Sequence, residues 1–336
     1  MNNFKKIGLS ALAGSLAAFS VNAAELTASG GAYFYAGTSD ENGAGYYSMS
    51  DSVTFKGSGT TDGGLDIAVK FELDGNAPAG SKTAAASATS PSGANVMDDR
   101  SVSVGSETLG TFTFHGHGGS SVMSGWDDKT PNAYEEVWDG VTGADASVIG
   151  GYAGNNLVRY DSPAMSGVQL HIAYQDAGTD SAVAGKEKVS TYSDFGVTIS
   201  PEMVDGLELG YAAGSYDASA TTSGDENTMY AKYAFGSVTV AYQTSEIDLG
   251  TAATTDESEA FGISYAISDN LSVSYGTHTI DFGSGTTDQE AEGFSASYTM
   301  GGMTIAGMQN KVDNIDGATT AAADKEGYEI SLSFAF

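Results

Sequence analysis

The chain has 336 residues, no cysteine, 13 basic against 43 acidic side chains and a formal net charge of −30. That sign excludes nucleic acid as a partner, because phosphate binding needs the opposite one, and an exported chain without cysteine cannot draw stability from disulfides. Hydrophobic residues make up only 40%, with 45 Gly and 5 Pro, which suits strands with one apolar face around a watery lumen better than a compact two-layer core.

The chain opens on a processing signal. Lys5 and Lys6 precede an apolar stretch from Ile7 to Val21, and Val21-Asn22-Ala23 is a small-residue cleavage site. Residues 1–23 are therefore expected to be a secretory signal peptide, and residues 24–336 one transmembrane β-barrel domain. The stretch is too short for a membrane helix and is broken by Gly8, Ser10, Gly14 and Ser15. No later segment offers a long charge-free apolar run, so any membrane crossing falls to strands.

Strand-like alternation then recurs along the chain. In the first strand Ala28, Gly30, Ala32 and Ala36 make a flat outer face, suited to close packing against another subunit. Leu65, Ile67, Val69, Phe71 and Leu73 oppose Asp66, Ala68, Lys70 and Glu72. Val168, Leu170, Ile172 and Tyr174 oppose Gln169, His171 and Gln175; Leu207, Leu209 and Tyr211 oppose Glu208 and Gly210. Further stripes are Phe261, Ile263, Tyr265 and Ile267, then Leu271, Val273 and Tyr275, then Phe294, Ala296 and Tyr298. The last segment carries Tyr328, Ile330, Leu332, Phe334 and Phe336 on one parity, with Glu329, Ser331, Ser333 and Ala335 on the other. A final strand with a wholly apolar outer face fits a barrel closed in lipid.

Sixteen strands are expected, beginning near residues 25, 50, 64, 99, 109, 156, 165, 188, 204, 226, 237, 257, 270, 289, 302 and 325. Short turns alternate with long polar loops at 37–48, 74–98, 117–155, 176–187, 217–226, 248–257, 282–289 and 312–325, as in barrels with one short-turned and one long-looped rim. The third loop, 117–155, is the longest, and a connection of that size is unusual unless functional. Within it Pro131 to Trp138 is expected to form a short helix with proline near its start. The stretch from Ala77 to Asn95 in the second loop is low-complexity decoration.

Several segments carry a family likeness. Val53-Thr54-Phe55-Lys56-Gly57-Ser58-Gly59-Thr60-Thr61-Asp62-Gly63-Gly64-Leu65 resembles the second strand, turn and third strand of Gram-negative general diffusion porins of the Rhodobacter type. Arg100 to Gly105 followed by Leu109 to Phe114 resembles their fourth and fifth strands, and Val158-Arg159-Tyr160-Asp161-Ser162-Pro163 a segment after their third loop. The strand ending in Phe336 is similar as well. The resemblance covers most of the chain after the leader. It implies an all-β, sixteen-stranded antiparallel barrel in the outer membrane, a homotrimer among lipids and lipopolysaccharide, a third loop folded into the lumen, and passive diffusion of ions and small hydrophilic solutes. It implies no required cofactor, and loops that hold calcium. One departure stands out: the family commonly ends its fifth strand on an arginine, where this chain reads Phe114-His115-Gly116-His117.

Parity assigns the lumen residues on that expectation. Val158 and Tyr160 face lipid, so Arg159 and Asp161 face inward, as do Lys56, Lys70, Asp66, Glu72, Glu208 and Lys232. The expected basic side of the pore is Arg159, Lys56, Lys70, Arg100, His115 and His117. Arg100 shares parity with Val102 and Val104 but sits at a strand end, which leaves its direction open. The acidic side is expected on the third loop, from Asp127, Asp128, Glu135, Glu136 and Asp139, with Asp145. Opposed charges across a constriction orient polar solutes, and the net charge with only two arginines points to weak cation selectivity. All four histidines fall on inward parity; polar lining is the plain reading, a metal ion shared by His115 and His117 the sharper one. No EF-hand pattern names calcium ligands, and no spacing of Ser, His and acid demands catalysis. A solute-specific channel for sugar or phosphate is the alternative of the same fold, and a secreted acidic calcium-binding surface-layer or adhesin β-protein the alternative of another class.

Overall fold

The computed structural model describes residues 25–40, 45–74, 97–150, 154–176, 191–219, 222–250 and 255–336. The expected leader, the low-complexity stretch 77–95 and the loop 177–190 lie outside the described residues.

Sixteen strands form: β1 (Glu25–Thr38), β2 (Tyr46–Thr60), β3 (Asp66–Asp74), β4 (Met97–Ser106), β5 (Gly110–His117), β6 (Leu157–Asp161), β7 (Val168–Gln175), β8 (Thr191–Ile199), β9 (Leu207–Ser219), β10 (Thr222–Phe235), β11 (Val238–Asp248), β12 (Thr255–Ser268), β13 (Leu271–Asp281), β14 (Gln289–Met300), β15 (Met303–Asp313) and β16 (Lys325–Ala335). Each pairs antiparallel with its neighbours in sequence, and β1 pairs with β16, so the sheet closes into a barrel without an edge. Closure runs to the last residue: Gly30 N–H donates to Phe336 O and Phe336 N–H to Gly30 O, both at 3.0 Å.

Register carries one parity around the whole wall. Phe34 lies opposite both Leu332 and Met49, Phe55 opposite Phe71, Phe114 opposite Val158, Tyr160 opposite Ile172, and Tyr275 opposite Phe294. These side chains form the outer surface, where Phe294 is 65% and Ile330 60% exposed. The inner parity holds Glu329, Ser331, Ser274, Ser295, Gln243 and Asn310, all buried. An apolar outside and a polar, filled inside is the inverse of a water-soluble sandwich and is the arrangement a barrel in hydrocarbon requires. No described helix is long and apolar enough to cross a membrane.

Two expectations are corrected. Residues 217–219 and 222–226, read as part of a loop at 217–226, continue the β9–β10 ladder, with Thr222 opposite Ser219 and a register shift at Thr222/Ser223; backbone pairing overrides the polar composition on which the loop reading rested. The helix expected at Pro131–Trp138 does not form. The Ala133 and Tyr134 N–H groups donate to the wall hydroxyls of Ser295 (3.2 and 3.1 Å), and Ala133 also to Ser274 (2.9 Å). Those donors are satisfied by the barrel rather than by a helical turn.

Candidate functional site

The third loop leaves β5 at His117 and re-enters the wall at Leu157. Its neck is drawn together by Gly119 N–H donating to Gly154 O at 2.8 Å. Arg159 brackets the neck from β6: it donates to Ser120 O (3.2 Å) and Ser121 O (3.1 Å) while its other nitrogens hold Asp161 at 3.0–3.1 Å. Asp161 also contacts His171 Nδ1 at 2.6 Å.

From the neck the loop runs along the inner wall. Val122, Met123 and Trp126 pack with Leu157, Ala173, Ala212 and Tyr230, and Met123 N–H donates to Asp194 at 2.9 Å. Lys129 N–H donates to Gln243 Oε1, whose Nε2 donates back to Trp126 O, both at 2.6 Å. Tyr134 O–H donates to Glu329 Oε1 at 2.6 Å, and Tyr46 O–H of β2 to Glu329 Oε2 at 2.5 Å. Asn310 Nδ2 donates to Glu136 O and Asp139 O at 2.8 Å. Val137, Trp138 and Val141 pack with Ala291, Val312, Ile315 and Ala323. The far end reaches Ser39, whose carbonyl accepts from Thr142 N–H at 2.9 Å. The return segment is tied by Gln289 to Asp145 (2.9 and 3.0 Å) and by Glu226 to Gly150 N–H (2.9 Å).

Small inward residues make this seat. A Cβ added at Gly196 would lie 2.6 Å from Val122 Cγ1, at Gly262 2.7 Å from Thr130 Cβ, and at Gly276 2.9 Å from Val137 Cγ1. No real Cβ tolerates such distances, so these glycines let the loop approach the wall. Apart from the neck, the hydrogen bonds from the loop's described residues to the rest of the barrel go to β7–β16 and to the β1–β2 corner. The inward residues of β2–β5 that face it include Lys56, Lys70, Ser101, Ser103 and His115, by their registers Lys56–Lys70, Lys70–Ser101 and Ser101–His115.

Each expected lining residue has a definite place. Lys70 is inward, engaged with Asp99 at 2.8 Å and Glu72 at 3.0 Å. Lys56 is inward and exposed. Arg100 is not inward: it pairs with Phe71 on the outward parity, and a Cβ at Gly116 would meet its Nε at 2.8 Å. Gly116 is the extra residue of a bulge on β5: His115 lies opposite Ser101 on the inward parity, whereas His117, expected inward, lies opposite Arg100 and leaves that parity. His117 Nδ1 contacts the Asp98 carbonyl. His171 and His278 are inward but covered, His278 by Trp138 with ring centroids 4.4 Å apart. Arg159 is inward and spent on the neck.

On the loop, Asp127 is exposed, while Asp128 accepts from Thr130 N–H (2.6 Å) and Asn132 Nδ2 (3.0 Å), turned into the loop itself. Carboxylate oxygens of Glu135, Glu136 and Asp139 lie within 4.8 Å of one another, the one such group among the described residues that could hold a metal ion. Desolvation raises the pKa of Glu135, with the Glu136 charge adding to it. The Glu136 carboxyl is pushed up to about 7, first by burial, then by its hydrogen bond with Asp139 and that group's charge. Asp145 is raised by burial and by Asp316. Sequence reading missed Lys129, Tyr134 and Glu329: the first two sit in a loop without periodicity, and the third reads as one more polar inward side chain.

The profile of a family described as Gram-negative porin matches residues 8–308. Among solved structures, the anion-selective porin from Comamonas acidovorans superposes with TM-score 0.67 at 17% identity, covering 93% of this chain and 100% of that one. A porin refined at 1.8 Å superposes with TM-score 0.66 at 15% identity, and a mutant of the Rh. blastica porin with 0.62 at 17%, each with the same coverage. A comparison with curated protein sequences gives no significant match. Those structures have the same fold, and the profile spans nearly the whole chain; this protein therefore belongs to the Gram-negative porin family and is an outer-membrane channel protein that crosses the bilayer as a multi-pass β-barrel.

Proposed function

We propose that this porin is a passive, weakly cation-selective diffusion channel for ions and small hydrophilic solutes, and that it works as a homotrimer. The observation that carries the reading is the asymmetric seat of the third loop: its bonds go to β7–β16, with Glu135, Glu136 and Asp139 clustered on it, while Lys56 and Lys70 stand on the wall it leaves alone. Solutes pass between these two surfaces. The carboxylates and lysines set up a transverse field there that favours polar solutes, and the surplus of carboxylates favours cations. Passive diffusion needs no covalent step and no cofactor, and both family and fold are those of channels rather than enzymes. The Comamonas relative is anion-selective, so selectivity in this fold follows the local charges.

Two features of the outer face support the trimer. Ala28, Gly30, Ala32 and Ala36 share a parity on β1, and Asp51 on β2 lies opposite Ala32 on that same outward parity. A carboxylate there is disfavoured against hydrocarbon and is better accommodated by a second copy. Calcium belongs to the same reading, as a structural ion held by loop carboxylates away from the constriction, and so does the leader 1–23, which directs export. Planar-bilayer recording tests the whole. Current steps closing in threes, with reversal potentials of cationic sign in a KCl gradient, are expected; a clear anion preference ends the selectivity claim, and the absence of steps ends the channel claim.

A further inference from the structure

We infer that a recess beneath the third loop is a binding subsite for an oxyanion, the carboxylate or phosphate group of a small solute. The inference rests on the channel reading above. The recess measures about 600 Å³ and is lined by Lys129, Thr130 and Pro131 of the loop and by Glu208, Lys232 and Thr239 of the wall, a size that holds a small solute. Ser200, Gly206, Leu207 and Ala234 complete it. These residues flank the short turns, so the recess opens toward the short-turned rim.

Its charge is the reverse of the chain as a whole. Two of the 13 basic residues of a −30 protein converge on it, and the one carboxylate in its lining is already compensated. Glu208 accepts from Tyr230 O–H at 2.9 Å and lies 3.4 Å from Lys232 Nζ. Lys129 remains in surplus. An ammonium has three donors. Lys129 Nζ gives one to Gly125 O at 2.5 Å and lies 5.8 Å from the Trp126 ring centroid, which leaves two N–H groups for a ligand. Its backbone is pinned by Gln243, so the ammonium is held rather than swept through solvent. Burial first and then the Lys232 charge push the Lys129 pKa down, against smaller upward pulls from Glu208 and Asp127; an oxyanion between the two ammonium groups would offset the downward push and gain charge-assisted hydrogen bonds. Lipid and macromolecular anions cannot reach the inside of the wall, so the ligand is a small solute in transit.

The test uses full-length channels in planar bilayers in about 0.1 M KCl, where screening leaves the site legible, with inorganic phosphate titrated on each side separately. Wild type should lose single-channel conductance saturably, more strongly from one side than the other. Lys129→Gln should raise the half-inhibiting phosphate concentration about tenfold, the effect of one charge-assisted hydrogen bond. Lys129→Arg keeps the charge and should stay within about twofold of wild type, as should Lys311→Gln, whose ammonium pairs with Asp313 on the outer face. Equal phosphate inhibition of wild type and Lys129→Gln, or a response in wild type that never saturates, overturns the subsite. Failure of every protein to form current steps refutes the channel reading instead.

Discussion

Glu136 gives the loop a charge that titrates in the neutral range, and ion selectivity should report it. Its carboxyl is raised from 4.5 to about 7. Between pH 8 and pH 6 its ionised fraction should fall from about 0.9 to about 0.1, a loss of nearly one negative charge per channel from a cluster spanning 4.8 Å. A cation passing about 5 Å away in a water-like medium feels about 0.8 kcal/mol from that charge. A Debye length of about 10 Å at 0.1 M salt trims this to about 0.5 kcal/mol, roughly twofold for a cation and, with the opposite effect on an anion, roughly a fivefold change in the cation-to-anion permeability ratio. Reversal potentials in a KCl gradient at half-unit pH steps should show an inflection near 7 with cation preference higher on the alkaline side. Protonation of the lumen histidine His115 would act in the same direction, so Glu136→Gln is the decisive comparison: it should flatten the inflection and resemble wild type at pH 6. A wild-type profile flat from pH 6 to 8, or an inflection retained in Glu136→Gln, refutes the assignment. The same shift has a stability sign. A carboxyl raised on folding binds its proton more tightly in the native state, so its contribution is full below about 4.5 and is lost as pH rises through about 7. The seated loop should resist protease better at pH 5 than at pH 8.

Other perturbations probe the seat and the closure. Arg159→Ala removes the bonds to Ser120 O and Ser121 O, worth about 1.5–3 kcal/mol each where a charged donor is involved; the neck should loosen, seen as added open-channel current noise and faster proteolysis within residues 118–150. Gly276→Val sets side-chain atoms where Val137 Cγ1 would be 2.9 Å from a Cβ; the loop must shift off the wall, and single-channel conductance should change by more than the scatter among wild-type channels. Deleting Phe336 removes both 3.0 Å closing bonds to Gly30, and the unheated barrel should lose its resistance to detergent at a lower temperature on gel mobility.

The wall was legible because it separates two solvents. Tyr328, Ile330, Leu332 and Phe334 had to share a parity once one side was hydrocarbon, and the register of β16 against β1 and β15 bears that out. Parity reveals a face but not what covers it. His171 and His278 do point inward, yet the loop buries them, which no reading of their own strands foretells. Arg100, ambiguous at its strand end, simply keeps the parity of Val102 opposite Phe71; it is His117 that a bulge at Gly116 takes off the inward parity, and bulges leave no mark in alternation. The loop itself has no period. Its path depends on donors such as Asn310 Nδ2 and acceptors such as Glu329, which lie some 170–195 residues away along the chain.

The position of the pore nevertheless has a trace in the inward residues, which differ between the two halves of the wall. Along β8–β14 they include Gly196, Ala212, Gly262, Gly276 and Ala291, each beside or beneath the loop. Along β2–β5 they include Thr54, Lys56, Lys70, Glu72, Ser101, Ser103 and His115. A polar lumen wet on all sides has no use for glycine at Gly262 or Gly276, because glycine weakens a strand and packs nothing. Its presence there makes sense only where another segment presses close, whereas on the opposite arc the inward glycine, Gly105, sits at the turn end of β4 and the middle of the arc is left to water and charge. The inward side-chain volumes thus encode the loop's resting side before the loop is traced. Filling the glycine seat should displace the loop, whereas filling the lysine arc should narrow the channel and leave the loop in place.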